Sequence, residues 1–130
     1  MKNYWDSSAL VEAIVDLPLR RRLHNEGGFT RPHALSEIFS ALTGGNLSIR
    51  TDGETATQII EGLADDLKFV DLTAPEIISA LKKTKRLGVR GGRVHDFLHV
   101  IAAEKVSADK IITLDENDFN DLTELKIELV

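Results

Sequence analysis

Four carboxylates stand where a carboxylate needs a reason. Asp6 follows the apolar pair Tyr4-Trp5 in "YWDSSALVEA", and Asp115 follows the apolar run of "KIITLDENDF". Glu37, in "HALSEIFSAL", lies one helical turn from Ala34 and one from Ala41, so small residues rather than charges flank its ridge. Asp96, in "GGRVHDFLHVIAAE", shares a ridge with Val100 and Ala103, close to the start of its helix. Each has an ordinary explanation. Asp6 can cap a helix and Asp96 can face a helix dipole, each worth about 1 kcal/mol, while "DEND" is good turn chemistry and Glu37 can sit on a half-wet flank. Gathered at one place, however, four acids repel and raise one another's pKa values unless a cation lies among them. Mg²⁺ or Mn²⁺ takes oxygen ligands and shares its shell with substrate phosphate, so an acid-only site is the form expected of a phosphodiester-cleaving centre. Ser7, Ser8 and Thr113 are near enough in sequence to orient carboxylates or waters there. His95 and His99 compete as ligands, but with Phe97 and Leu98 between them and no acid-histidine zinc signature they fit a core or capping role better.

The elements that would position these acids follow from periodicity. Residues 2–5 read as a strand, Asp6-Ser7-Ser8 as a cap, and "ALVEAIV" as a first helix. Pro18 opens a second helix carrying Arg20, Arg21 and Arg22, Gly27-Gly28 ends it, and "FTR" is a short strand stopped by Pro32. Leu35, Ile38, Phe39 and Leu42 fall at the spacing of a buried helical stripe, which Gly44-Gly45 closes. "TDGETATQIIEGLADDL" is a further amphipathic helix, "KFVDL" a strand, "APEIISALKKTKRLG" one helix, "RVHDFLHVIAAEKV" another, and "DKIITL" and "ELKIELV" the last strands. This alternation predicts a mainly parallel central sheet in a three-layer α/β/α sandwich, a single domain over 1–130. In such sheets ligands bind beyond the carboxyl ends of the strands, the edge that Asp6 and Asp115 share.

Composition narrows the chemistry. The 130 residues are 42% apolar and 28% charged and include no cysteine, which removes disulfides, thiolate nucleophiles and cysteine zinc sites, and suits a cytoplasmic setting. Neither a signal-peptide core nor an apolar run of about 20 residues is present, so no membrane association is expected. A net charge of −5 argues against nucleic-acid binding by overall field. The distribution matters more, because "KKTKRLGVRGGR" carries Lys82, Lys83, Lys85, Arg86, Arg90 and Arg93 without an acid. That cluster is either a solvated helix end or the path of a polyanion past a negative site, and Arg20 to Arg22 form a weaker candidate of the same kind.

Four pieces in this order, "YWDSSALV", "HALSEIFSAL", "GGRVHDFLHVIAAE" and "IITLDENDF", resemble the PIN-domain family over essentially the full length, and in size and layout the VapC-type toxins within it. The resemblance implies a PIN-like fold and a metal-dependent endoribonuclease in which Asp6, Glu37, Asp96 and Asp115 hold Mg²⁺ or Mn²⁺. Asp118 is a further candidate, since some relatives carry asparagine where Asp115 stands and the final acidic position is loosely placed. It implies also a homodimer, an RNA substrate and a small antitoxin covering the acidic groove. An RNA-processing nuclease unrelated to toxicity, or a non-catalytic RNA- or protein-binding module, is the alternative. A response-regulator receiver would need a second acid directly beside Asp6, and a haloacid-dehalogenase phosphatase an aspartate at Ser8; neither is there.

Overall fold

The computed structural model describes residues 1–44 and 50–130; Gly45 of the expected helix terminator lies outside them. Tyr4 and Trp5, side by side in the first strand, set the architecture. Strand β1 (Asn3–Trp5) is buried on both sides, and successive side chains of a strand point to opposite faces, so Tyr4 enters one core and Trp5 the other. Ile111 and Ile112 repeat this alternation in β4 (Lys110–Thr113), which pairs with β1 in parallel, Tyr4 opposite Ile111 and Trp5 opposite Ile112. β2 (Gly28–Thr30), β3 (Leu67–Phe69) and β5 (Lys126–Leu129) complete a sheet of order β3-β2-β1-β4-β5 in which every pairing is parallel. The sheet direction of travel reverses at β1, so the crevice between the ends of β1 and β4 is the topological switch point.

The Trp5 face is covered by α1 (Ser7–Val15), α2 (Leu17–Glu26), α3 (His33–Thr43) and α4 (Gly53–Ala64). Gly28 permits the close approach of Trp5, since a Cβ there would lie 2.5 Å from Trp5 Cδ1. The Tyr4 face is covered chiefly by α7 (Arg93–Lys105), with Val70, Ala80 and Val89 completing that core. Asp6 starts α1 by accepting from the Ala9 amide at 2.9 Å, and Asp16 starts α2 by accepting from Leu19.

Two expectations change. The stretch expected to form one helix splits into α5 (Ala74–Leu81) and α6 (Thr84–Leu87), because the Thr84 hydroxyl donates to the Leu81 carbonyl at 2.7 Å and diverts the backbone there. The buried stripe of α3 runs through Ala34, Ile38 and Leu42, leaving Phe39 exposed against Gly53 at the start of α4. The last crossover, from β4 to β5, is made by a 3₁₀ turn (Glu116–Asp118) in the "DEND" string, pinned by the buried Phe119 and Leu122. No helix among the described residues is long and apolar enough to cross a membrane.

Candidate active site

Asp6 lies at the switch point, immediately after β1, and is only 3% exposed. Its Oδ1 accepts from the Ala9 amide at 2.9 Å and the Ser8 hydroxyl at 2.8 Å, and its Oδ2 accepts from the Thr113 hydroxyl at 2.6 Å. Thr113 ends β4, so this last bond crosses the crevice. Burial raises the Asp6 carboxyl above its ordinary value, and these donors oppose the rise without cancelling it. Ser8 also accepts from the Leu114 amide at 3.1 Å and Thr113 from the Asp115 amide at 3.2 Å, which ties the segment after β4 to the start of α1. Ser8 and Thr113 thus hold Asp6 in place.

Glu37 projects from α3 towards the same edge. Its Oε2 accepts from the Ser7 hydroxyl at 3.0 Å, and its Oε1 lies 3.1 Å from His99 Nε2. His99, in the middle of α7, is 1% exposed, and its Nδ1 is 2.7 Å from the Tyr4 hydroxyl. The two ring nitrogens of His99 thus link Tyr4 to Glu37 in one buried chain. Burial pushes the Glu37 carboxyl up, but His99 and Ser7 outweigh it and hold the group below its usual range. Tyr4, beneath them, is driven well above the ordinary phenol value, mainly by burial.

Asp96 faces Asp6 and Glu37 from the first turn of α7. Half-buried and without a hydrogen-bond donor of its own among the described residues, it is pushed up to about 6, first by burial, then by the charge of Asp118 and next by those of Asp6 and Glu37, with His99 opposing. Asp118 is raised in turn by burial, by Asp115 and by Asp6, and Arg93 pulls it back. Asp115 is exposed, and its Oδ1 accepts from the Asn117 amide at 2.9 Å to cap the 3₁₀ turn. Of the two C-terminal candidates, Asp118 is coupled to Asp96 and Asp6, and Asp115 is coupled to Asp118 while it also caps the turn. Asp6, Glu37, Asp96 and Asp118 converge as an electrostatic group, although among the described residues no three of them already stand at coordinating separation. Oxygen donors with uncompensated negative charge fit a hard divalent ion whose remaining ligands are water and phosphate. An open cleft of about 340 Å³ adjoins them, lined by Ser7, Ser8, Val11, Glu37, Ala41 and Leu114. A cleft of similar size at the opposite edge of the sheet, beside Gly27 and Asp66, contains none of these acids.

The basic residues divide. Arg93 opens α7 beside Asp118 and so belongs to the acidic edge, and Arg90 is exposed in the loop before that helix. Lys82, Lys83, Lys85 and Arg86 are exposed, but Lys83 stands near Glu104, eight residues along α7 from Asp96 and so about 12 Å away along the helix axis. Lys83 therefore stands further along α7 from the acids than Arg93 does. Arg20 and Arg22 are engaged elsewhere, with Asp66 at 2.6 Å and with Glu26 and Glu128. The contacts of His99 with Glu37 and with Tyr4 carry no sequence signal beyond the placement of His99 one turn after Asp96, because the partners are 62 and 95 residues apart.

No family model and no curated protein matches the sequence. Among solved structures, the fold matches a chain of the complex described as VapBC2 from Rickettsia felis bound to a DNA fragment from their promoter. The TM-score is 0.73 at 15% identity, and the match covers 100% of this chain and 99% of that one. The two share a fold, with the all-parallel five-stranded sheet flanked by helices.

Proposed function

We propose that the protein is a metal-dependent endoribonuclease of the PIN-domain type, acting as the toxin of a toxin-antitoxin pair. The observation that carries this reading is Asp96, pushed up to about 6 by burial and by Asp118, Asp6 and Glu37 at the switch point of a sheet with the VapBC2 fold. Asp6, Glu37, Asp96 and Asp118 would hold Mg²⁺ or Mn²⁺, which supplies charge to the phosphate and acidity to a water. Thr113, Ser8 and the Ala9 amide fix the rotamer of Asp6, and His99 with Ser7 fixes that of Glu37, so the donors are set before an ion arrives. Asp96 has no such constraint and can turn towards the ion, and at about 6 it gives up its proton as the pH nears neutrality. Arg90 and Arg93 flank the negative edge where an RNA strand must approach, and a small antitoxin would inhibit by covering the cleft beside Glu37 and Leu114. The test is incubation of the purified protein with RNA in Mn²⁺ and in chelator. Cleavage that requires the ion and disappears in Asp96→Asn supports the reading; cleavage that persists in chelator or in the variant refutes it.

A further inference from the structure

Arg31 follows β2 at the same edge of the sheet and is only 9% exposed. Its Nη1 is sealed from solvent without an acceptor, and no acidic side chain pairs with its guanidinium among the described residues. This contrasts with Arg20 and Arg22, each of which has a carboxylate partner. An unmatched guanidinium in a low-dielectric place opposes folding, so its retention asks for a partner that arrives later. Pro32 confines the backbone of Arg31 to an extended conformation and so fixes the origin of the side chain. Beyond it, α3 begins without a side-chain cap and adds the positive end of an eleven-residue helix. The charge of Arg31 reaches both Tyr4 and His33, the latter stacked on His95 of α7 at 5.1 Å. The guanidinium therefore lies by the Tyr4-His99-Glu37 chain, on the α7 side of the acids.

We propose that Arg31 is a phosphodiester-binding group, gripping a backbone phosphate of the RNA strand next to the one held at the carboxylates. This rests on the nuclease reading for the identity of the strand. With Nη1 sealed, the Nε and Nη2 edge of the planar guanidinium is the one left to meet two phosphate oxygens at once, which a lysine cannot do. The arrangement places a cationic grip beside an anionic one, so a strand lying across the edge meets both.

The experiment uses Arg31→Met in the full-length protein with a labelled 12-nucleotide single-stranded RNA in chelator, where binding is read without cleavage. Affinity is expected to fall on the order of tenfold and the logarithmic salt slope to shrink by about 0.7, one phosphate contact, while the melting temperature without RNA rises. A lower melting temperature with unchanged affinity and slope would make Arg31 a structural residue and overturn the proposal. If Arg31→Met does not fold, the Arg31 Nε–H resonance of the wild-type protein decides. A shift on adding the RNA, larger than with acetate, upholds the proposal; no shift, or an equal one with acetate, which would point to an acidic peptide, overturns it. Failure of metal-dependent cleavage with RNA binding through Arg31 intact would count against the nuclease reading alone.

Discussion

Glu128, on the outer strand β5, accepts from Arg22 of α2 through both carboxylate oxygens and from Lys110 of β4 at 2.5 Å, and these partners hold its carboxyl down at about 2. Asp96, at the carboxyl edge of the same sheet, has like charges around it and stands at about 6. The first arrangement links three elements and needs nothing further. The second costs stability in the protein alone, a cost that a proton or a cation would relieve. Where acids are matched by bases the charges serve architecture, and where they are left to repel they mark a candidate site.

The widest separation between the two regions should come from the C-terminal acids. Asp118→Asn removes a charge facing Asp6 and Asp96 and should lower RNA cleavage by about a hundredfold or more. Asp115→Asn, altering a turn cap on the surface, should leave the rate within about twofold. Parallel assays of the two variants would reverse the assignment if Asp115 proved the more sensitive.

His99 comes next. His99→Leu leaves Tyr4 and Glu37 without their common partner, and Mn²⁺ affinity measured by calorimetry should fall ten- to a hundredfold, by the usual cost of losing a residue that orients a ligand. Unchanged affinity in a folded variant would mean that Glu37 needs no such support.

The smallest effect belongs to the matched region. Arg22→Ala removes the bridge from α2 to β5 and should cost about 1 kcal/mol, a melting temperature lower by roughly 4 °C, with metal affinity untouched. A loss of Mn²⁺ binding in this variant would erase the distinction between the regions.

The order of strands and helices was legible because the chain alternates its periods clearly, and Asp6, Glu37 and Asp96 could be singled out because each interrupts an apolar or small-residue ridge. Three features were hidden for physical reasons. The break at Lys82-Lys83 depends on one hydroxyl, that of Thr84, finding the Leu81 carbonyl. Asp118 and Asp115 are equivalent in a turn-forming string until the buried Phe119 fixes which way the 3₁₀ turn faces. Arg20 and Arg31 look alike as surface cations, and only the tertiary fold gives one of them Asp66 and leaves the other unpaired.

The central claim, that Asp6, Asp96 and Asp118 with Glu37 form an uncompensated site for a divalent cation, is tested most directly by melting temperature against pH with and without Mn²⁺. A carboxyl raised in the folded state from 3.8 to about 6 contributes stability below pH 4 that is lost as pH rises through 6. Glu128 has the opposite sign but is largely ionised in both states above pH 5. His33, which burial lowers, adds a rise with pH that wild type and Asp96→Asn share, so the difference between the two proteins isolates Asp96. In chelator the wild type should lose stability relative to Asp96→Asn between pH 5 and 7. At pH 7, Mn²⁺ at a hundred times its dissociation constant should restore about 2.7 kcal/mol, roughly 10 °C, in the wild type, and far less in the variant at the same concentration. A wild-type melting temperature that does not respond to Mn²⁺ at pH 7, with a pH profile parallel to that of Asp96→Asn, would contradict the account.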